Sequence, residues 1–440
     1  MSKPKEYSWM TKDKLMLYTF IALLVLVGVS FFSFGITSLI TAAIAVLIAV
    51  GIDALLYKTA SDSPLNTMSA AVFGLIVALS YSLGLPQMRS GDVLPLVAPD
   101  AYLYVVLITV IGMVLFKKVG GLKGRKYVNP AAAAKLLVMI PFISTILLAS
   151  DHLNSGLLQV PKLAGPIGYD PISGNGAAGF GFYLVGGFGN PAITIPTTIT
   201  QNDIFQVLFL QKFHGWTGGA SSLAVIIVGL ALFIVARRYI KWRITVAYLA
   251  TVVVMATLMH FAYPGGDLLL RLGFELFMGS SIFLAFFMAT DPATTPLTYV
   301  GQIIFGVGLG VLTVLIQTYM NFWGGSILAL IIMNVTSPWL DKVGKMKPMT
   351  ESKEPKLPKA IQQTAVKTYE CIRCGACMRV CCHRLSPILI KTAFDKMNVE
   401  QMSKLNADYC TGCGHCTFVC PARIDLKNSI LRAKAMLRNQ

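Results

Sequence analysis

Ten runs of about twenty apolar residues each leave this chain little choice of backbone; they lie at 15–35, 37–57, 67–85, 95–116, 131–149, 221–236, 244–263, 268–290, 300–318 and 322–340. A run of that length crosses about 30 Å of hydrocarbon. No water is available there, so every backbone N–H and C=O must be satisfied within the chain, and each run is expected to be a helix. Composition agrees. Of 440 residues, 55% are hydrophobic and 13% charged, which describes a membrane protein carrying a soluble appendage. The fold expected is an all-α polytopic membrane protein with about ten transmembrane helices.

Lysine and arginine set the orientation, because short inner loops collect them. With the N-terminus inside, the inner segments hold Lys3, Lys5, Lys12 and Lys14, then Lys58, then Lys117, Lys118, Lys123, Arg125 and Lys126, then Arg237, Arg238, Lys241 and Arg243. The outer loops hold almost none. An even number of spans returns the C-terminus to the inner side, so both termini are expected in the cytoplasm. The first run has no small-residue cleavage site and reads as an uncleaved anchor.

All the cysteine lies in the appendage. Cys371, Cys374 and Cys377 follow C-x2-C-x2-C with Cys381 three residues beyond, and Cys410, Cys413, Cys416 and Cys420 repeat the run before Pro421. That is the ligand run of a two-cluster ferredoxin, in which the fourth cysteine serves the other cluster. One 4Fe-4S cube is therefore expected on Cys371, Cys374, Cys377 and Cys420, and a second on Cys410, Cys413, Cys416 and Cys381. Structural zinc wants four ligands in paired C-x2-C units, and disulfides want an oxidising compartment and a much shorter chain. The reducing cytoplasm also suits exposed clusters, which agrees with the charge argument. Cys382 stands where the second run has Pro421 and reads as a spare thiol. Between Cys381 and Cys410 the apolar residues follow helical spacing, so this ferredoxin domain is expected to be all-helical.

The domain boundaries expected are 1–14 for an N-terminal cytoplasmic segment, 15–342 for the transmembrane domain, 343–364 for a linker and 365–440 for the ferredoxin domain. The linker sequence "KMKPMTESKEPKLPKAIQQ" is rich in Lys, Pro and Glu and should be extended. A loop over 150–220, rich in Gly and Thr, falls outside the membrane, and its length marks it as functional. Two Asx-Pro junctions, Asn129-Pro130 and Asp291-Pro292, read as helix N-caps or as helix N-termini aimed at an anionic group or a gate. Glu275 is placed within a span, with Arg271 at the spacing that lets the two pair. Asp53 is expected to face water, and His260 to sit at the interface. From Asp341 to Gln440 there are 18 Lys plus Arg against 8 Asp plus Glu, a surplus of about ten. That charge suits anionic lipid headgroups, or an acidic electron carrier whose approach it would speed. Nucleic acid fits neither a membrane nor two clusters.

Taken in order, "LFKKVGGLKGRKYVNPAAAAKLL", "ARRYIKWRITVAYLATV", "FFMATDPATTPLTYVGQIIFGVGLGVLTVLI" and "GGSILALIIMNVTSPWLD" resemble the D subunit of the Rnf ferredoxin:NAD oxidoreductase complex. They are also similar to the B subunit of the sodium-pumping NADH:quinone reductase. The resemblance covers roughly residues 10 to 342. The tail, "CIRCGACMRVC" with "DYCTGCGHCTFVCPARI", looks like the cluster-binding end of the Rnf C subunit. The chain thus reads as a fusion, and it lacks any Gly-rich dinucleotide- or flavin-binding domain. The resemblance implies a prokaryotic cell (inner) membrane, a channel-like fold of two five-span halves, partner membrane subunits, and sodium or a proton as coupling ion. It further implies an FMN joined by a phosphoester to a threonine of the outer loop, in a motif like D-G-x-S-G-A-T-P-L. Here "DPISGNGAAG" keeps Asp170, Ser173 and Gly174 but has no threonine. "ITIPTTITQND" offers Thr197 and Thr198 without the flanking signature, and these two are the expected attachment points.

The function expected is electron transfer from a low-potential donor such as ferredoxin, through the two clusters, toward a membrane flavin in an ion-translocating complex. Two rivals are a channel or transporter with a redox-sensing tail, and a membrane anchor that reduces quinone or a disulfide through the clusters.

Overall fold

The computed structural model describes residues 10–59, 66–81, 100–119, 127–139, 209–210, 216–262, 268–277, 281–320, 325–343 and 368–438. Among them there is no strand. Thr11 caps the first helix, α1 (Lys12–Phe34), by accepting the Lys14 N–H at 3.3 Å, and Asp13 complements the dipole in the first turn. Gly35 turns the chain, and α2 (Ile36–Thr59) starts at the next residue. Then come α3 (Thr67–Leu79), α4 (Asp100–Ile111), which runs on as a π-helix over Gly112–Val119, and α5 (Pro130–Met139).

The second set is α6 (Ser222–Val235), α7 (Trp242–Ala262), α8 (Leu268–Phe277), α9 (Ser281–Phe283) continued as a π-helix over Leu284–Met288, α10 (Tyr299–Met320) and α11 (Gly325–Leu340). Each of the ten apolar runs thus carries helix. Four helices, α1, α2, α7 and α10, are long and apolar enough to cross a membrane, and the others are shorter apolar pieces. In the second set α10 packs against both α7 and α11. On one face its backbone lies so close to α7 that a Cβ at Gly306 would come within 2.7 Å of Ala247 and of the Ile244 carbonyl oxygen. Such small-residue contacts stand in for a hydrophobic driving force where the solvent is itself apolar.

Three local expectations change. Asp53 does not face water: it is 1% exposed, and its Oδ2 accepts the Asn66 N–H at 2.9 Å, tying α2 to the start of α3. Asn129 is an N-cap, its Oδ1 accepting the N–H groups of Ala131 and Ala132. Asp291 begins no helix; its carboxylate closes a turn through the Ala293 N–H and the Thr294 hydroxyl. The end of the expected outer loop is not on the surface either, because Trp216 and Thr217 are buried and Thr217 Oγ1 donates to Ala78 O, at the end of α3, at 2.9 Å. Lys135 of α5 supplies the cation for that helix end, donating to Ser80 O and lying 4.6 Å from the centre of the Trp216 ring. Thr197, Thr198, Ser173, the linker and the Arg271 side chain lie outside the described residues.

The appendage is helical, as expected: α12 (Ala376–Arg379), α13 (Pro387–Asp395), α14 (Val399–Lys404), α15 (His415–Phe418) and α16 (Leu426–Arg438). It sits on the end of the bundle where α1, α7 and α10 begin and where α6 and α11 end. Met10, Leu15, Ala236 and Tyr239 of the bundle form one apolar cluster with Ile372, Cys374, Ala376 and Val419. Arg379 caps the end of the α6 region by donating to Arg237 O and Ile240 O, both at 2.9 Å. Lys12 N–H donates to Pro421 O at 3.0 Å, and Tyr369 Oη to Asp13 at 2.9 Å.

Candidate metal centre

The two cysteine runs fold into twin loops. Gly375 (φ 72°) and Gly414 (φ 81°) stand at matching places, and Arg373 (φ 54°) matches Gly412 (φ 71°). In each loop the residue two beyond the first cysteine donates its N–H to that sulfur at 3.4 Å: Arg373 to Cys371, and Gly412 to Cys410. Leu385 N–H donates to Cys381 Sγ at the same distance. Hydrogen bonds of this kind orient a sulfur ligand and raise the potential of what it holds.

Two cavities follow from this folding. The inner one is lined by Cys371, Cys374, Cys377 and Cys420, with Ile388, Ile424 and Leu426 as apolar wall. The outer one is lined by Cys381, Cys410, Cys413 and Cys416, with His383, Lys427 and Ile430. Cys382 is exposed, outside both linings, with its sulfur 3.7 Å from Cys413 Sγ. Among the described residues no three His, Cys, Asp or Glu side chains converge closely enough for a single metal ion. The thiols instead stand around space for a multi-atom group.

The electrostatics fit such a group. Burial pushes the Cys374 and Cys416 thiols up to about 12, and neighbouring thiols add to it. Cys377 is driven well above its ordinary value by burial and then by Cys374 and Cys371. Four sulfurs that resist ionisation singly need a shared positive centre, which an iron-sulfur cluster provides. Cys413 differs. Partial burial raises it, but hydrogen bonds from His415 and Cys382 bring it below its ordinary value.

The inner cavity touches the membrane bundle through charge as well as through apolar contact. Arg373 pairs with Asp341, at the end of α11, at 2.6 Å, and both side chains are under 10% exposed. The other Asp341 oxygen accepts the Leu297 N–H at 2.7 Å, and Leu297 packs into the ferredoxin core. Lys241 holds the same 291–298 segment from the other end, donating to Pro292 O, Thr295 O and Thr295 Oγ1 at 2.8–2.9 Å. Sequence reasoning missed Arg373, Asp341 and Lys241. One signal was available for Arg373: aligning the two runs puts an arginine where the twin has the glycine that a left-handed backbone favours, so the side chain is kept for what it binds.

Comparison with known proteins agrees with both halves of this architecture. Residues 2–350 match the family described as NQR2, RnfD, RnfE family, and residues 352–424 match the 4Fe-4S dicluster domain. The D subunit of the Na(+)-translocating ferredoxin:NAD(+) oxidoreductase complex of Acetobacterium woodii is 28% identical over 328 residues, covering 74% of this chain and 86% of that protein. The D subunit of the ion-translocating oxidoreductase complex of Actinobacillus pleuropneumoniae is 28% identical over 357 residues, covering 78% and 95%. Its counterpart in Haemophilus influenzae (strain Rd) is 26% identical over 355 residues, covering 78% and 94%. The chain is therefore a multi-pass membrane protein that belongs to the NQR2, RnfD, RnfE family and carries a 4Fe-4S dicluster domain at its C-terminal end.

Proposed function

We propose that this chain is an electron-transfer subunit of an Rnf-like ion-translocating membrane complex, taking electrons from a soluble ferredoxin or flavoprotein toward a membrane flavin and partner subunits. The observation that carries the reading is the placement of the two cysteine-lined cavities: Ile372, Arg373 and Cys374 of one lining contact the membrane bundle, and the other cavity lies beside the exposed Cys382 and Cys413. In this reading Cys371, Cys374, Cys377 and Cys420 hold an inner cluster, and Cys381, Cys410, Cys413 and Cys416 an outer one. When bound, the clusters supply one-electron chemistry. The chain supplies position and tuning. The Arg373, Gly412 and Leu385 N–H groups orient ligand sulfurs, Arg373 and Arg379 hold the inner cavity against the bundle, and the exposed Arg384 and His415 beside the outer cavity present cationic and hydrogen-bonding groups to an acidic carrier.

The same reading puts both termini and the dicluster domain in the cytoplasm, in accord with the Lys and Arg of the inner loops. It puts FMN, where covalent, on Thr197 or Thr198, and takes sodium or a proton as coupling ion. The names of the relatives, each the D subunit of an oxidoreductase complex, support other Rnf subunits as partners. The test is anaerobic mixing of the purified protein with reduced ferredoxin, followed by visible bleaching. Bleaching is expected at a rate that falls with ionic strength and slows in Arg384→Glu. Clusters that dithionite bleaches but no soluble low-potential protein donor reduces would sink the proposal.

A further inference from the structure

Lys241 is a cation in an unfavourable place. Its side chain is completely buried. It directly precedes the 21-residue α7, where the helix dipole already presents positive charge. The ammonium spends its three N–H donors on Pro292 O, Thr295 O and Thr295 Oγ1, at 2.8–2.9 Å, and all three acceptors are neutral. It forms no ion pair among the described residues. Hydrogen bonds satisfy its donors but leave its charge uncancelled, and a buried charge is stable only beside an opposite one.

The inner cysteines are close by. The 291–298 segment that Lys241 holds runs on to Leu297, whose Cδ2 and carbonyl oxygen lie 3.9 Å from where a Cβ on Gly375 would stand, next to Cys374. Cys374 is within the field of the Lys241 ammonium, together with Arg373, Asp341 and Asp291. Seen from Cys371, the charges that act most strongly are Arg373, then Lys241, then Lys391. Two of these are offset elsewhere: Arg373 pairs with Asp341, and Lys391 with Asp395 at the surface. Asp291 is only partly buried, and its carboxylate closes its own turn. Lys241 remains the fully buried cation near the inner cavity that no bonded carboxylate balances among the described residues.

We propose that Lys241, a residue of the membrane half, sets the potential of the inner cluster across the domain boundary and ties that potential to the docking of the dicluster domain. The inference rests on the electron-transfer reading above, in which Cys371, Cys374, Cys377 and Cys420 hold that cluster. One electron from a soluble donor makes the cluster one unit more negative, and in that step no bond forms or breaks. A nearby buried cation stabilises the reduced state more than the oxidised one, and net charge is among the quantities that fix such potentials. The link runs both ways. Docking beside Lys241 favours reduction, so reduction favours docking by the same factor. The outer cavity has a buried lysine as well, Lys434, which donates to Cys410 O at 3.1 Å. Lys434 belongs to the dicluster domain itself, so its effect does not depend on docking.

The test is a dithionite redox titration of the full chain with both clusters, purified in detergent and followed by electron paramagnetic resonance. In Lys241→Met one of the two midpoints should fall, so that the reduced-to-oxidised ratio of that cluster at a fixed potential drops by roughly three- to thirtyfold, while the other midpoint stays. Lys241→Arg should keep both midpoints. Thr295→Val removes an acceptor of the same ammonium and loosens the same segment but keeps the charge, so it too should leave both in place. Unmoved midpoints in Lys241→Met with iron intact would overturn the proposal. So would an equal fall in Thr295→Val, which is what a purely structural role predicts. Should Lys241→Met fail to hold the inner cluster, the unaltered chain decides: hydrogen exchange in the 291–298 segment should be slower in the reduced than in the oxidised protein, and equal or faster exchange on reduction would overturn the proposal. Failure of ferredoxin to reduce the clusters would strike the electron-transfer reading alone, because dithionite still yields the midpoints.

Discussion

Replacing Asp341 by leucine should loosen the dicluster domain from the bundle by a predictable amount. The carboxylate has two duties: it pairs with Arg373 at 2.6 Å and accepts the Leu297 N–H at 2.7 Å. Removing one member of a buried pair costs about 3–5 kcal/mol, because the remaining charge is left in a medium that solvates it poorly. The orphaned amide adds about 1–3 kcal/mol. Local opening at this interface should therefore become easier by about 4–8 kcal/mol, capped by the whole opening free energy of the contact. Hydrogen exchange of the 291–298 and 371–381 segments in the full chain reads this directly. Both should exchange faster by roughly 700-fold or more, up to that cap, since each 1.4 kcal/mol is a factor of ten. Arg373→Met combined with Asp341→Leu should recover most of the protection and leave only the Leu297 amide unpaired. Arg373→Gly gives an independent sign. It relieves about 1–2 kcal/mol of left-handed strain, so it would stabilise if the pair contributed nothing, and it should destabilise if the pair holds the domain in place. Exchange within threefold of the unaltered protein in Asp341→Leu, or faster exchange in the double variant than in either single one, would refute the reasoning.

Three further outcomes are expected. The purified protein should hold about eight irons, and Cys420→Ser should disturb the cluster of Cys371, Cys374 and Cys377, whereas Cys382→Ser should keep full iron; loss of the 410–416 cluster in Cys420→Ser would reverse the crossed assignment. Single cysteines placed in 150–208 should react with an impermeant thiol reagent in whole cells while sites in 345–363 stay protected, and the opposite pattern would invert the topology. Denatured protein co-produced with a flavin-attaching enzyme should fluoresce on a gel until Thr197 and Thr198 are both changed to Ala; fluorescence surviving that change would exclude both as attachment points.

What the sequence disclosed and what it withheld divide along physical lines. Apolar length and cysteine spacing are local quantities, so the helical spans and the two cysteine runs could be read directly. The grouping of Cys420 with the first run was legible too, because spacing in such runs carries a known crossing. Asp53 was misjudged because its partner, the Asn66 N–H, belongs to the N-cap residue of α3 thirteen positions away, which no periodicity announces. Asp291 was misjudged because an Asx-Pro pair serves a turn as readily as a helix. The Arg373–Asp341 contact joins two domains across the 344–367 segment, and only tertiary structure brings its ends together.

The bond from Lys12 N–H to Pro421 O has a consequence in time. At about 5–20 residues per second, synthesis of the intervening 400 or so residues takes roughly 20–80 s. The first helix is thus in the bilayer long before its acceptor exists. Met10 and Leu15, with Ala236 and Tyr239 once they emerge, wait in water for the last segment of the chain. A nascent chain stopped between residues 343 and 368 would be a finished membrane bundle with a wet apolar patch on one end, the kind of surface that chaperones and proteases recognise. Covering that patch is thus the last step that the order of synthesis allows.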